Sequence, residues 1–378
     1  MPTIYLNRDA LIENARLTKA HCARFGWEWL PVLKMTQAWP AIRRLLQEEG
    51  IFRAGLADVD EGLRLHAAPD AQRDVLINLA SPDRADAIVR RFGRSVVSNR
   101  EALAALEAAA ARQRKPHDVL LAVDLGDGRE GIPLAGNWKA LLSEPRRFVR
   151  ITGVCATLGC LMGLCPDTRM VSALFERLEA VREQFDADSP LVSLGGSIVW
   201  NWIVSHEAQL SAIRFEHQGW TLELRAGNPL MIGWDDYRDE PLLSALEGAF
   251  RSDVFVLGAR VLELQRKNHP QLGEHVLNGH GARLQPQREA HCQAIADCGR
   301  LHTDVSSLRL LLPKARIIDF SGNYCIMDVT ECRPLPKPGD RIAFMPSYWA
   351  VAWACRTPCV EKKIVSNQEF QELIRCAS

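Results

Sequence analysis

The sequence predicts an α/β fold, with an N-terminal TIM-like (β/α)₈ barrel followed by an all-β C-terminal domain. The chain has 378 residues and is 47% hydrophobic, which is enough to build the cores of two domains. In the first part of the chain, short apolar runs alternate with helical patterns. After about residue 245, strand-like runs follow one another and are joined by Gly, Pro and Asn turns.

The barrel prediction depends on eight apolar runs, each of strand length. They are residues 28–34, 52–59, 74–81, 94–99, 118–126, 150–159, 191–197 and 220–227. Eight strands with helical patterns between them indicate eight βα repeats, the number that closes a barrel.

Two of the connecting segments carry clear helical signals. One helical face is predicted between residues 170 and 185, and it comprises Met170, Leu174, Leu178, Val181 and Phe185. Ser98 and Glu101 form a capping-box pattern before "ALAALEAAAA", which indicates the N-terminus of another helix.

The C-terminal domain is predicted from four strand-bearing segments. They are residues 253–265, 315–331, 339–347 and 359–365. We therefore expect residues 8–240 to form the barrel domain, and residues 1–7 with 241–378 to form the β-rich domain.

Composition narrows the classes of function. The 46 basic and 46 acidic residues give no net charge and form no basic block, so a broad surface for nucleic acid or an anionic membrane is not expected. The amino terminus resembles no signal peptide, and no stretch approaches the length of a membrane span. The missing charged surface instead favours a small molecule as the substrate. The 11 cysteines lack a repeated CxxC pair and are interpreted as reduced thiols, which predicts a cytoplasmic protein.

Several polar residues fall at the carboxyl ends of predicted strands, where barrels of this kind carry their chemistry. They are Lys34, Asp124 with Arg129, Thr157, Ser197 and Arg225. Lys34 has two interpretations. Its stem could lie along the barrel mouth with the ammonium in water. A desolvated Lys34 would instead have a lowered pKa and act as a nucleophile toward aldehydes and as a base.

Three glycine-containing segments follow predicted strands. "DLGDGREGI" (124–132) is either a tight turn or a loop that aims Arg129 at an anion, and "SLGGS" (193–197) offers backbone N–H groups and a hydroxyl that suit a phosphate. "LRAGNPLMIG" (224–233) follows the last barrel strand. Arg225 could pair with Glu223 or place its cation beneath a heteroaromatic ring nitrogen.

Together these segments resemble the fold-type III pyridoxal-phosphate enzymes, the alanine racemase superfamily, and in particular its ornithine racemase-like branch. "VLKM" matches the strand end that carries the family's cofactor lysine, and "DLGDGREGI" matches the branch motif D-L-G-D-x-R-E-G-I. "GVCATLGC", "LVSLGGS" and "LRAGNPLMIG" are similar to later family segments in the same order. The resemblance extends over almost the whole chain.

The resemblance implies pyridoxal 5'-phosphate as cofactor, with Lys34 as the Schiff-base lysine. It places Arg129 near the phenolic oxygen of the cofactor and Arg225 at the ring nitrogen. The cofactor-binding set that it implies is Lys34, Arg129, Thr157, Gly196, Ser197, Arg225, Gly227 and Asn228. The implied reaction is racemisation of a free amino acid, in which Lys34 exchanges the α-proton on one face and a second base acts on the other.

In alanine racemases that second base is a tyrosine from the partner's C-terminal domain, so the resemblance also implies a homodimer with shared active sites. The corresponding stretch here, "DCGRLHTDV" (297–305), has no tyrosine. His302 is a candidate because its pKa suits proton transfer. Tyr348 and Cys355 are rivals from the same domain. Trp349 and Trp353 either enlarge the entrance for a bulkier substrate or pack in the core.

Other reactions on the same scaffold stay open at this point. Two tyrosines usual in the branch are missing, at "CLMG" (160–163) and "TPCV" (357–360), so decarboxylation, D-amino-acid aldol cleavage or dehydration are alternatives. A non-catalytic carrier of the cofactor is a third class, although the large second domain argues against it. His280, His291 and Cys292 lack metal-ligand spacing, and no metal site is predicted.

Overall fold

The computed structural model describes residues 1–65, 73–268, 274, 276–282 and 290–376, apart from the side chains at 214, 215 and 376. It divides into two compact units, residues 12–251 and residues 1–11 with 252–378. The domain limits predicted from the sequence, 8–240 and 1–7 with 241–378, stay predictions.

The strands in chain order are β1 (Thr3–Asn7), β2 (Glu28–Pro31), β3 (Gly55–Leu56), β4 (Val75–Leu79), β5 (Arg94–Val97), β6 (His117–Asp124), β7 (Ile132–Pro133), β8 (Val149–Thr157), β9 (Leu191–Gly195), β10 (Thr221–Ala226), β11 (Trp234–Asp235), β12 (Glu240–Pro241), β13 (Phe255–Lys267), β14 (His291–Ala296), β15 (Leu308–Leu310), β16 (Arg316–Phe320), β17 (Cys325–Asp328), β18 (Arg341–Pro346) and β19 (Glu361–Val365). The α-helices are α1 (Arg8–Phe25), α2 (Pro40–Glu48), α3 (Val59–Arg64), α4 (Ala85–Arg91), α5 (Arg100–Gln113), α6 (Lys139–Leu142), α7 (Thr168–Glu179), α8 (Ile198–Ser205), α9 (Glu207–Glu216), α10 (Asn228–Met231), α11 (Tyr348–Arg356) and α12 (Asn367–Cys376).

The predicted barrel is confirmed. Its strands pair in parallel in the order β2-β10-β9-β8-β6-β5-β4-β3, and all eight predicted runs contribute one strand each. A single parallel bridge between Val32 and Gly55 joins the two ends of this sheet. Apolar side chains fill the interior in alternating positions, including a cluster of Leu30, Val32, Val75 and Ile77.

Charged groups are also buried within the barrel. Glu223 of β10 is fully buried and accepts hydrogen bonds from Ser193 (Oγ, 2.7 Å) and Arg94 (Nη2, 2.5 Å). Burial acts to raise the pKa of Glu223, but the charge and hydrogen bond of Arg94 outweigh it, so the pKa is lowered. Glu223 therefore stays ionised and is paired with Arg94, which removes the alternative that Arg225 is its partner.

Two helix predictions need correction. The helix after β5 begins at Arg100 with Asn99 as N-cap, because the Asn99 side chain accepts the N–H of Ala102 (2.8 Å), and Ser98 lies outside the cap. The helical face predicted to reach residue 185 ends earlier, because α7 stops at Glu179. Val181 and Phe185 are still buried, but a separate 3₁₀ turn lies between them.

The other unit is built on one sheet in the order β15-β18-β13-β14-β17-β16, and β1 pairs with β13 and with β19. All four predicted strand segments form strands. Strands β14 and β15 and the two helices, α11 and α12, were not predicted from the sequence pattern. Phe370 of α12 is buried in a cluster with Tyr5, Val256 and Ala343.

Candidate active site

Lys34 lies where the sequence analysis placed it, just beyond the end of β2. It begins a 3₁₀ turn, Lys34–Thr36, and the N–H of the preceding Leu33 donates to the carbonyl of Gly55 (3.0 Å). The turn ends in two residues with positive φ, Gln37 (53°) and Ala38 (50°). Non-glycine residues seldom adopt this conformation, so other contacts must hold it.

Gln37 supplies those contacts. Its backbone N–H donates to the carbonyl of Lys34 (3.2 Å), and its side-chain amide donates to the same oxygen (3.4 Å). Arg64 of α3 donates to both the backbone oxygen and the side-chain oxygen of Gln37, each at 3.1 Å. The backbone that carries Lys34 is therefore anchored on α3.

The Lys34 side chain is exposed by surface area, yet neighbouring protein groups displace part of the water around its ammonium. This partial desolvation is the largest influence on its pKa and lowers it below the usual lysine value. Cys160 and Glu130 act in the opposite direction, whereas the positive charges of Arg129 and Arg225 lower the pKa further. A lowered pKa increases the neutral amine fraction, which is the nucleophilic form.

Arg129 and Glu130, from the loop after β6, form an ion pair with each other. Thr157 at the end of β8 joins this pair, because its hydroxyl donates to Glu130 (Oε1, 3.1 Å) and accepts from Arg129 (Nη2, 3.4 Å). Burial and then Glu130 and Cys160 are the main influences on Arg129, and the net effect raises its pKa. The guanidinium is therefore a permanent cation.

Arg225 at the end of β10 is 6% exposed. Its Nη2 donates to the carbonyl of Ala156 (2.7 Å) and to the Thr157 hydroxyl (3.3 Å). Its Nε is buried and has no hydrogen-bond partner. The described residues include three other arginines with such an Nε, Arg43, Arg94 and Arg177, but only Arg225 lies at the carboxyl end of a barrel strand, where a ligand acceptor would fit.

The loops after β9 and β10 approach the site through glycines. A Cβ on Gly196 (φ 112°) would lie 2.2 Å from the carbonyl oxygen of Leu158, and one on Gly227 would lie 2.8 Å from that of Val32. No side chain fits at either position, so the backbone itself comes close to the site there.

Ser197 and Asn228 follow these glycines at the starts of α8 and α10. The Ser197 hydroxyl makes no capping hydrogen bond to its own helix. The Asn228 side-chain amide donates to the Trp234 carbonyl (3.2 Å) and to Asp236 (3.0 Å). Asn228 would therefore contact a ligand through its backbone N–H and not through its side chain. The backbone at the start of α8 and of the four-residue α10 supplies N–H donors of the kind that suit a phosphate.

Two aspartates of "DLGDGREGI" have structural roles that the sequence analysis did not assign. Asp124 accepts the N–H groups of Gly126 (2.8 Å) and Gly128 (3.1 Å) and so closes its own turn. Asp127 is buried and accepts four backbone N–H groups of the loop after β8, at residues 159, 161, 162 and 164. That loop carries Cys160 beside Lys34. The only sign of these roles in the sequence is the short spacing between the aspartates and the glycines of the motif.

A family model for the alanine racemase N-terminal domain matches residues 6–215 of this chain. The chain belongs to this family. Its members are pyridoxal-phosphate enzymes, and the matched residues include Lys34, Arg129 and Thr157.

Two curated relatives in this family match over nearly their full lengths. Ornithine racemase of Acetoanaerobium sticklandii is 25% identical over 96% of this chain and 99% of its own. Lysine racemase of Thermotoga maritima is 23% identical over 96% of this chain and 98% of its own. Among solved structures, alanine racemase from Streptomyces lavendulae has the same fold, with a TM-score of 0.69, 18% identity and coverage of 97% and 98%.

The candidates for the second base lie in the other unit. His302 is 8% exposed, and its Nδ1 accepts the N–H of Gly299 (3.1 Å). Burial lowers the pKa of His302. Tyr348, at the start of α11, is half-buried, with its ring 5.3 Å from that of Trp349. Cys355 is enclosed, and burial raises the pKa of its thiol to about 12, which makes it a poor base.

Trp349 and Trp353 do not pack in the core of their unit. They are 64% and 54% exposed and lie one helical turn apart on α11. The core-packing alternative is therefore wrong for both side chains.

The described residues contain no group of three or more His, Cys, Asp and Glu side chains that could hold a metal ion. None of their helices is long and apolar enough to span a membrane.

The residues present fit pyridoxal phosphate. The unpartnered Nε of Arg225 offers a donor to a ring nitrogen, and the glycine loops with Ser197 offer donors to a phosphate. Lys34, with its lowered pKa, offers an amine to the aldehyde. These three features correspond to the three polar ends of the cofactor.

Proposed function

We propose that the protein is a pyridoxal-phosphate-dependent racemase that exchanges the α-proton of a free amino acid, with Lys34 as the Schiff-base lysine. The observation that carries the proposal is the buried, unpartnered Nε of Arg225 on the strand that pairs directly with β2, the strand that leads to Lys34. Racemase activity in the named relatives supports it.

Different residues are proposed to bind the phosphate of the cofactor and the phenolic oxygen of its ring. Ser197 and the backbone of Gly196, Gly227 and Asn228 hold the phosphate, and Arg129 lies at the phenolic oxygen. When bound, the cofactor supplies an electron-withdrawing ring that stabilises negative charge at the substrate α-carbon. Lys34 removes or returns the proton on one face of that carbon.

Arg225 makes proton exchange the favoured outcome. A guanidinium does not give up a proton near neutral pH, so Arg225 donates a hydrogen bond to the ring nitrogen without protonating it. With the cofactor bound, an unprotonated ring would withdraw electrons more weakly, which would favour simple exchange of the α-proton over side reactions that need a long-lived charge at the α-carbon.

The second base comes from the unit formed by residues 1–11 and 252–378, with His302 and Tyr348 as the candidates. By analogy with the family, it acts on the site of a partner subunit, so the working enzyme is a homodimer with shared active sites. The exposed Trp349 and Trp353 support an intermolecular contact at α11, because large exposed aromatic pairs are typical of interfaces.

The proposed compartment is the cytoplasm. All ten cysteines whose side chains the structure describes are free thiols, as in a reducing environment.

The test begins with purified protein and added pyridoxal phosphate. A visible absorption band that borohydride fixes to the protein, and that Lys34→Ala loses, identifies the Schiff-base lysine. The α-deuterium exchange of common amino acids, with chiral analysis, then identifies the substrate. Exchange with inversion supports racemisation. Release of carbon dioxide, an aldehyde or ammonia without inversion would instead establish decarboxylation, aldol cleavage or dehydration.

A further inference from the structure

The Thr157 hydroxyl lies among three charged side chains of the site. It is 3.1 Å from Glu130 Oε1, 3.4 Å from Arg129 Nη2 and 3.3 Å from Arg225 Nη2. Arg129 and Glu130 are also paired with each other. One small residue therefore connects the two arginines and the carboxylate.

Counting donors and acceptors determines the direction of each bond. A hydroxyl has one proton and two lone pairs, and both guanidinium groups are donors only. Thr157 must therefore accept from Arg129 and Arg225, and its single proton goes to the Glu130 carboxylate. All hydrogen-bonding capacity of this hydroxyl is used inside the protein, which leaves none for a cofactor.

The same count restricts Arg225. Both hydrogens of its Nη2 are used, one on the Ala156 carbonyl (2.7 Å) and one on Thr157. These two bonds fix the plane of the guanidinium at one edge. The buried Nε is then left as an unused donor at a defined position.

We propose that Glu130 and Thr157 are positioning residues, which orient the two arginines for the cofactor and do not bind it themselves. This inference rests on the proposed function, and it changes the role assigned to Thr157. Glu130 orders Thr157 by fixing the direction of its hydroxyl proton. Thr157 in turn holds Arg225 in the rotation that keeps Nε available.

Glu130 also balances the charge of the site. Its carboxylate forms an ion pair with Arg129. Its negative charge also raises the pKa of Lys34, as Cys160 does, against the lowering effect of Arg129 and Arg225. Burial acts to raise the pKa of Glu130, but the hydrogen bond and charge of Arg129 outweigh it, so its pKa is lowered and it stays ionised. Loss of this charge would lower the pKa of Lys34 further.

The test compares Thr157→Val, which removes the hydroxyl, with Thr157→Ser, which keeps it. The first readout needs no cofactor: the rate at which phenylglyoxal modifies Arg129 and Arg225 in the apoprotein, mapped by peptide mass spectrometry. We expect Thr157→Val to raise that rate at least about threefold, because each lost hydrogen bond to a charged group frees its partner. Thr157→Ser should match the wild type.

The second readout is the dissociation constant for pyridoxal phosphate. We expect Thr157→Val and Glu130→Gln to raise it about tenfold or more, the amount that one charge-assisted hydrogen bond contributes. Glu130→Gln should also move the midpoint of cofactor capture to lower pH, which Thr157→Val should not do. Asp86→Asn, an exposed carboxylate paired with Arg112, is the control for loss of one charge.

Equal arginine modification in the Val and Ser variants would overturn the positioning role, whether or not the protein binds the cofactor. A Glu130→Gln variant with unchanged capture pH would overturn the charge-balancing role. Failure of the wild type to capture pyridoxal phosphate, with the arginine result as expected, would instead contradict the proposed function alone.

Discussion

The guanidinium of Arg225 lies directly over Gly195, in the space that a side chain there would occupy. A Cβ on Gly195 would lie 2.7 Å from Nη2 and 2.9 Å from Cζ of Arg225. The two residues face each other across the parallel pair of β9 and β10. The absence of a side chain at residue 195 therefore leaves the space that the Arg225 guanidinium occupies.

Replacement of this glycine should damage the site without damaging the barrel. We expect Gly195→Ala to displace the Arg225 guanidinium and weaken pyridoxal-phosphate binding about tenfold or more, as small misplacements in active sites do. Cofactor titration measures the effect. Gly279→Ala, at a position where a Cβ has open space, is the matched control. Unchanged affinity in Gly195→Ala would show that Arg225 does not need this space.

Lys34 should show its lowered pKa in both reactivity and stability. We expect it to react with an amine-selective reagent at lower pH than Lys362, an exposed lysine of β19. The unfolded chain binds more protons than the folded one between the lowered pKa and the ordinary value of 10.5. The stability penalty from Lys34 is thus present at neutral pH and is relieved as pH rises through that window.

The matching variant is Lys34→Met, which removes the charge and keeps most of the bulk. We expect its apoprotein to melt at a higher temperature than the wild type at pH 7, with a smaller difference at pH 10. A lower melting temperature at pH 7 would contradict a partly desolvated ammonium at this position.

Asp127 should control the loop that carries Cys160. Its carboxylate accepts four backbone N–H groups, at distances from 2.9 Å to 3.4 Å. We expect Asp127→Ala to cost about 3 kcal/mol in the free energy of unfolding, because one buried and three part-buried backbone donors lose a charged acceptor. Denaturant titration measures this cost. Asp167→Ala, which removes one exposed N-cap of α7, should cost about 1 kcal/mol.

The second base can be assigned from exchange with each enantiomer. In a two-base reaction, loss of one base stops proton removal from only one face, so one enantiomer still exchanges its α-deuterium with solvent. We expect that pattern from either His302→Gln or Tyr348→Phe. If His302 is the base, the reaction from its face falls as pH drops through its lowered pKa. Full exchange of both enantiomers in both variants would exclude the two residues.

The exposed aromatic pair of α11 should matter for assembly rather than for folding. We expect the double variant Trp349→Glu and Trp353→Glu to shift the proposed homodimer toward monomer in analytical ultracentrifugation. Its melting temperature should change little, because neither ring is buried within its unit. Arg356→Glu, at the end of the same helix, controls for added negative charge. A double variant that stays dimeric would remove α11 from the interface.

The barrel could be predicted because each strand is a continuous apolar run that stands between two helical patterns in the sequence. Lys34 and Arg225 could be predicted as candidates for the same reason, since each closes such a run. The bridge from Glu130 through Thr157 to Arg225 could not, because it joins three strands or loops that are distant in sequence. Its only local sign was that Glu130 stands inside a recognisable motif.

The exposure of Trp349 and Trp353 was hidden for a related reason. Sequence alone identified two large apolar side chains but did not predict α11, so the face on which they lie was unknown. Asn99 was missed because Ser98 and Asn99 are both good capping residues, and only the backbone geometry selects between them.

The two ends of the barrel sheet, β2 and β3, meet at the bridge between Val32 and Gly55, and this has a consequence for how the protein is made. The strand that leads to Lys34 is joined to β3 by one bridge, whereas its full register is with β10, in which Glu28 pairs with Glu223. During synthesis β2 leaves the ribosome early, whereas its main partner, β10, emerges only after almost the entire barrel has been made. Until then β2 lacks its main pairing partner, so we expect Lys34 to become competent for aldehyde chemistry only when the last barrel strand has docked.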